Sequence, residues 1–165
     1  MTPSPPAVAL FDIEDAAFAI DRSSQLIKKW QTAGVPFISA DDVRGRVGRG
    51  GRSVFTLGTV TNLALMAEMT AWGAKAEIAW ESAILFTRKG KVGRVQEGVL
   101  AEGSKPSATY LIMYDQRKIA KLVSVHKGAP VDCIAFPACS ALLIDCEKIE
   151  NQVVARLLAR GEPSG

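Results

Sequence analysis

Residues 12–36 have the sequence DIEDAAFAIDRSSQLIKKWQTAGVP, and they decide how the N-terminal half of the chain folds. Asp12 is a typical helix N-cap, and Asp15, three residues later, is placed to complete a capping box. Apolar residues then recur at the i, i+3, i+4, i+7 spacing of an amphipathic helix, at Ile13, Ala16, Ala17 and Ile20. The pattern predicts a first helix that begins after Asp12.

A second short helix follows after a tight turn. Asp21 and Arg22 interrupt the apolar pattern, and Ser23 or Ser24 can cap a helix from Gln25 to Thr32. Gly34 stands where a glycine often ends a helix, and Pro36 prevents continuation. We expect the two helices to be joined as a helix-turn-helix. Four apolar residues would hold them together: Ile20, Leu26, Ile27 and Trp30.

The next stretch is basic and rich in glycine. Residues 41–52, DDVRGRVGRGGR, contain four glycines and four arginines and cannot form a core. Short β-prone segments flank it, Phe37-Ile38 before and Ser53-Val54-Phe55 after, so a hairpin with a basic tip is predicted. Such a hairpin could lie against DNA as a wing, and the alternative is a solvated loop that never meets DNA.

The rest of the chain predicts two more helices and then β-structure. Thr56 caps a helix from Leu57 to Trp72, Gly73 ends it, and a fourth helix runs from Lys75 to Arg88. The β-prone runs are Ala108–Tyr114, Lys118–Val125, Val131–Phe136 and Ser140–Ile144. Asp145 caps a final helix that ends at Arg160 and Gly161, and Arg156 and Arg160 complement its dipole.

The predicted fold class is therefore α+β, with an N-terminal winged helix-turn-helix followed by a small, β-rich C-terminal segment with a final helix. The predicted division of the chain is a disordered N-terminus at 1–11, a DNA-binding domain with its following helix at 12–88, a linker at 89–107 and a small α+β dimerisation or partner-binding domain at 108–161.

Composition and charge narrow the class of protein. The chain of 165 residues is 48% apolar and 22% charged, as in folded proteins, which excludes wholesale disorder and collagen-like repeats. Its net charge is only +3, but residues 22–52 hold seven basic and two acidic residues, so this stretch carries +5 and the remainder −2. Positive charge concentrated in one segment is typical of nucleic-acid binding.

The predicted DNA contacts lie on the second helix and the wing. A helix-turn-helix places its second helix in the major groove, where serine, glutamine and lysine reach base edges and phosphates. The arginines of the wing would contact phosphates or the minor groove. The candidate residues are Ser23, Ser24, Gln25, Lys28 and Lys29 on the helix, and Arg44, Arg46, Arg49 and Arg52 on the wing.

These residues resemble the winged helix-turn-helix of the MerR family of bacterial regulators. The resemblance covers residues 12–73 and rests on Lys28-Lys29-Trp30, Gly34-Val35, the basic wing, and Phe55-Thr56 followed by Val60, Leu63, Met66, Met69 and Gly73. It implies DNA binding by Ser23 to Lys29 and by the wing, and it names no effector.

The sequence gives little indication of a metal site or a catalytic site. Cys133, Cys139, Cys146 and His126 could form a metal set, but their spacing matches no compact ligand pair, and free cysteine in an apolar run packs as a small hydrophobe. With one histidine and no recognisable nucleophile or phosphate-loop motif, we expect no enzyme, cofactor or metal.

The sequence thus predicts a sequence-specific transcriptional regulator that binds double-stranded DNA as a homodimer, because one module of this size contacts too little DNA for selective binding. We expect it in the cytoplasm on the nucleoid, since residues 1–9 lack the basic residues of a signal peptide and no apolar run is long enough for a membrane span. Two alternatives stay open: an excisionase-like factor that bends DNA, and a protein-interaction adaptor whose helix-turn-helix does not bind DNA.

Overall fold

The computed structural model describes residues 10–33, 54–93, 107–114, 119–126 and 141–161. Within these ranges, helices alternate with small antiparallel sheets, which confirms the predicted α+β class. The elements in chain order are β1 (Leu10–Asp12), α1 (Ile13–Ile20), α2 (Ser24–Thr32), β2 (Val54–Thr56), α3 (Leu57–Ala71), α4 (Ala76–Gly93), β3 (Ser107–Tyr114), β4 (Ile119–His126), β5 (Leu142–Asp145) and α5 (Cys146–Arg160).

Helix α1 begins with the predicted capping box. The Asp12 carboxylate accepts hydrogen bonds from the amides of Glu14 at 2.9 Å and Asp15 at 2.8 Å. The Asp15 carboxylate in turn accepts from the Asp12 amide at 3.2 Å. The helix ends where Asp21 adopts a left-handed conformation with φ of 55°, which aspartate tolerates better than most residues.

Helix α2 begins one residue earlier than predicted and packs chiefly against α1. Ser23 caps it by accepting a hydrogen bond from the Leu26 amide at 3.3 Å. Ile27 and Trp30 are buried on its inner side, which confirms that the tryptophan belongs to the core. Gly34, Pro36, Phe37-Ile38 and the predicted wing lie outside the described residues.

The strand β1 corrects the prediction of disorder for residues 10 and 11, and residues 1–9 lie outside the described residues. Leu10 and Phe11 pair antiparallel with β2, opposite Thr56 and Phe55 respectively. The sequence did not indicate this strand, because the strand is very short and its partner, β2, comes after the whole helix pair α1–α2 in the chain. The pairing places Asp12, where α1 begins, opposite Val54, the first residue of β2, and it places Thr56, where α3 begins, opposite Leu10.

Helix α3 is the central element of the fold. The Thr56 hydroxyl caps it by accepting from the Thr59 amide at 3.2 Å, and Gly73, with φ of 89°, follows its end. Every residue from 59 to 67 is buried, so the helix is covered on all sides rather than along one stripe. Its covering elements are α1, α4, α5 and β2.

Helix α4 is longer than predicted. It runs from Ala76 to Gly93 rather than from Lys75 to Arg88, so the predicted linker at 89–107 is wrong at its start. The glycines at 90 and 93 favour a break, but a glycine inside a helix costs only about 1 kcal/mol relative to alanine and does not have to end it. Residues 94–106 lie outside the described ranges, and Ser107 already belongs to β3.

The C-terminal strands form an antiparallel sheet in the order β4-β3-β5. In it, Leu111 of β3 lies opposite Leu122 of β4 and Ile144 of β5. Three of the four predicted β-prone runs are thus strands, shifted by one or two residues, and the run Val131–Phe136 lies outside the described residues. Asp145 caps α5 as predicted, accepting from the Lys148 amide at 2.9 Å, and Gly161 closes it.

The described parts of the two predicted domains share one hydrophobic core. Ile20, Ile27 and Phe55 from the N-terminal half belong to the same buried cluster as Leu111 and Val153 from the C-terminal half. Two helices link the halves: α5 packs against α1, α3 and β3, and α4 packs against β3 and β4. Among the described helices, none combines the length and apolar character that crossing a bilayer requires.

Candidate nucleic-acid interface

The outward side of α2 carries a polar stripe. Gln25, Lys28, Lys29 and Thr32 are all exposed, and their spacing of i, i+3, i+4 and i+7 places them along one side of the helix. Ile27, by contrast, is 1% exposed and fixes the opposite side in the core. The stripe therefore presents one amide group and two ammonium groups from a helix whose rotation about its axis is fixed.

The turn between α1 and α2 is held by a short network of backbone hydrogen bonds. The amide of Asp21 donates to the Phe18 carbonyl at 3.2 Å, and that of Arg22 donates to the Ala17 carbonyl at 3.0 Å. The Arg22 guanidinium donates to the Asp21 carbonyl at 2.8 Å and lies 3.9 Å from the Glu68 carboxylate of α3. These contacts tie the turn to both α1 and α3.

A shallow cleft of about 450 Å³ lies at this turn. Its lining comes from the end of α1, the turn and one residue of α5: Ala17, Phe18, Asp21, Arg22, Ser23 and Arg156. Two guanidinium groups and one carboxylate give the cleft a net positive charge. Sequence reasoning did not include Arg22 or Arg156 in the candidate site. Arg22 could have been found from its place in the basic stretch, whereas no local pattern indicates that Arg156 lies beside the turn.

The structure brings together five of the nine predicted contact residues. Gln25, Lys28 and Lys29 lie on the exposed stripe, and Ser23 and Ser24 lie at the N-terminal end of the same helix. The Ser23 hydroxyl accepts from the Leu26 amide, so its oxygen is already engaged in capping. The other four predicted contacts, Arg44, Arg46, Arg49 and Arg52, lie outside the described residues.

The cysteines form no visible site in the described part of the chain. Cys146 is fully buried at the start of α5, and its thiol lies 3.8 Å from the Ile144 carbonyl, which accepts its weak hydrogen bond. Cys133 and Cys139 lie outside the described residues, as does the side chain of His126. No group of three or more potential metal ligands occurs among the residues that are described.

Comparison with known proteins adds no family to these observations. No protein-family model and no curated protein sequence matches the chain. The polar stripe of α2 and the turn that fixes it are therefore the features from which a function has to be inferred.

Proposed function

We propose that the chain is a sequence-specific DNA-binding transcriptional regulator, with α1 and α2 as its helix-turn-helix and residues 41–52 as a basic wing. The observation that carries the proposal is the exposed stripe of Gln25, Lys28 and Lys29 on a helix whose inner side is anchored by Ile27 and Trp30. A recognition helix needs both properties, because its side chains read bases only if the helix itself is held in a fixed orientation.

The chemistry of the stripe suits the major groove of DNA. An α-helix fits that groove, glutamine can pair with the donor and acceptor edge of adenine, and lysine can reach guanine or a phosphate. The N-terminal end of α2 adds the positive end of the helix dipole, which favours a phosphate close to Ser23 and Ser24.

The two-stranded sheet gives the proposed wing a fixed point of attachment. Arg52 precedes β2 by two residues, and β2 pairs with β1, which leads directly into α1. The four arginines therefore belong to a segment that returns to the helix-turn-helix. Their role in this proposal is to contact phosphates and so to strengthen binding to every duplex.

We further propose that the protein binds as a homodimer. A single helix-turn-helix contacts too few base pairs for selective binding, and a second copy related by two-fold symmetry supplies a second half-site. Sedimentation of the protein alone and with duplex DNA tests this directly. A single chain per duplex at saturation contradicts the dimer without affecting the proposed interface.

The interface is tested with Lys28→Ala/Lys29→Ala and a matched control. Lys75 and Lys148 are also exposed, and Lys75→Ala/Lys148→Ala removes the same charge away from the stripe. Binding is measured over a range of salt concentrations to a duplex that the wild-type protein selects from a random-sequence pool. We expect the first variant to bind more weakly and to lower the salt slope by about two, because each of the two lysines neutralises one phosphate.

Two outcomes contradict the proposal. The first is an equal loss of DNA affinity in the two double-lysine variants, which means that Lys28 and Lys29 act only as general surface charge. The second is a wild-type protein that neither selects a sequence nor is retained on DNA at low salt, which favours the adaptor. Gln25→Ala supplies the specificity test, since it should relax the preference at one base pair by about 1–3 kcal/mol and leave the salt slope unchanged.

A further inference from the structure

Helix α5 is attached to the C-terminal sheet at its first turn. Asp145 is both the last residue of β5 and the N-cap of α5, so the helix follows the strand without a loop. In the same turn, the Glu147 carboxylate accepts a hydrogen bond from the Thr109 amide of β3 at 2.6 Å. The first turn of α5 is therefore attached to two adjacent strands.

The last turn of α5 is attached to the start of α1. The Arg160 guanidinium donates to the Glu14 carbonyl at 2.6 Å and lies 3.1 Å from the Asp15 carboxylate. It also lies over the ring of Phe18, 5.4 Å from the ring centre, at a distance typical of a cation–π contact. One side chain thus contacts three residues along α1.

One turn earlier on α5, Arg156 holds the other end of α1. Its guanidinium donates to the Ala19 carbonyl at 3.1 Å and lies 3.5 Å from the Asp21 carboxylate. Asp21 is the left-handed residue at which the chain turns from α1 into α2. Arg156 therefore contacts the turn that sets the angle between the two helices.

We propose that Arg156 and Arg160 are positioning residues that couple DNA binding at α2 to the C-terminal sheet. The coupling runs from α2 through the turn and α1 to the two arginines, and along α5 to Glu147 and β3. This inference rests on the proposed function, and it adds the regulation of the same site: an event at the sheet changes DNA affinity, and DNA binding changes the sheet by the same factor.

The exposure of these contacts suits such a coupling. The Arg156 and Arg160 side chains are 41% and 38% exposed, so their ion pairs are screened by solvent and contribute little to overall stability. The core beneath them is formed by Val153 and Leu157, which are buried. The arginine contacts can therefore break while α5 stays folded, as a coupling between the sheet and α2 requires.

The test is amide hydrogen exchange of the full chain, with and without the duplex selected by the wild-type protein. In the wild type, DNA should slow exchange about fivefold or more in the last two turns of α5 and at the Thr109 amide, in addition to α2. Arg156→Gln/Arg160→Gln should abolish this remote slowing and keep the slowing at α2. Arg156→Lys/Arg160→Lys, which retains the charge, should restore part of it.

If the two arginines only stabilise the fold, the double glutamine variant should instead show faster exchange throughout α3 without DNA and the same response to DNA as the wild type. That result overturns the proposal, as does a wild-type protein in which DNA leaves α5 and β3 unaffected while slowing α2. Lys75→Gln is the control, because Lys75 is exposed and lies outside α1, α2 and α5, and it should behave as the wild type. If the double arginine variant does not fold, Arg156→Gln alone carries the same test.

A measurement without DNA separates this inference from the proposed function. The amides of Asp21 and Arg22, which donate to the end of α1, should exchange faster in Arg156→Gln/Arg160→Gln while the α3 amides stay as protected as in the wild type. If the wild type does not bind DNA, the proposed function fails, and this measurement still decides whether the arginines position the turn. Unchanged exchange at the turn overturns the positioning role, even where DNA binding is found.

Discussion

Two buried threonines on α3 allow the same substitution to be tested with opposite expected signs. Thr59 and Thr61 are 3% and 1% exposed, and they lie two residues apart on one helix. The Thr59 hydroxyl lies 3.1 Å from the Thr56 hydroxyl, with which it shares a hydrogen bond. The Thr61 hydroxyl has no hydrogen-bond partner among the described residues. Valine has nearly the shape of threonine, with a methyl group in place of the hydroxyl.

The magnitudes follow from the hydrogen bonding of each hydroxyl. A buried hydroxyl without a partner costs about 1–3 kcal/mol in proteins, so Thr61→Val should raise the free energy of unfolding by about 1–2 kcal/mol. Thr59→Val removes a hydrogen bond that contributes about 0.5–1.5 kcal/mol and should lower the free energy of unfolding by that amount. Helix propensity does not decide the sign, because threonine and valine are nearly equal in it.

Thermal unfolding followed by circular dichroism measures both variants against the wild type. For a chain of this size, each 1 kcal/mol shifts the Tm by about 2–4 °C, so Thr61→Val should melt higher than the wild type and Thr59→Val lower. If both variants melt lower by similar amounts, the Thr61 hydroxyl makes a hydrogen bond in solution, and the reasoning from its burial is refuted.

Three further predictions concern elements that hold the helix pair α1–α2 and the end of α5. Trp30→Ala should lower the free energy of unfolding by about 3–5 kcal/mol, whereas Trp72→Ala, at a residue 58% exposed, should change it far less; equal urea midpoints contradict the core position of Trp30. Asp12→Ala removes the acceptor of two amides and should cost about 0.5–2 kcal/mol, and an unchanged midpoint contradicts the capping box. Gly161→Ala, with φ of 91° and open space around it, should lower the thermal midpoint through backbone strain alone, and an unchanged midpoint contradicts that strain.

The helix starts could be predicted from the sequence because capping is a local interaction. Asp12, Thr56 and Asp145 each accept hydrogen bonds from amides two or three residues ahead, so residue type and spacing alone specify the contact. The same holds for the inner side of α2, where the helical period places Ile27 and Trp30 together. These signals need no knowledge of the rest of the chain.

Two features that the sequence did not predict have different causes. Strand β1 is only three residues long and exists because β2 pairs with it across the entire helix pair α1–α2. The extension of α4 to Gly93 runs through Gly90, and a glycine usually indicates a break. Strand β1 therefore depends on a tertiary contact, whereas the extension of α4 shows that the cost of one internal glycine is too small to end a helix.

In the candidate site, too, the sequence predicted the residues whose signal is local and missed the one whose contacts are distant. The stripe on α2 follows from helical spacing, so Gln25, Lys28 and Lys29 could be chosen in advance. Arg156 could not, because it is separated by 137 positions from Ala19, whose carbonyl it contacts. A basic residue late in a helix is already explained by the helix dipole. The position of Arg156 in the sequence therefore does not indicate that it contacts the turn between α1 and α2.

The burial of α3 gives the C-terminal half a role in holding α2 in place. Because residues 59–67 are buried on every side, α1 and β2 can cover only part of their surface, and α4 and α5 cover the rest. Without α5, the apolar side chains beneath Val153 and Leu157 would face water as a contiguous patch, which folded monomers rarely tolerate. The turn before α2 would also be deprived of Arg156. The core that supports the proposed recognition helix therefore continues past the predicted linker at 89–107 to Leu157.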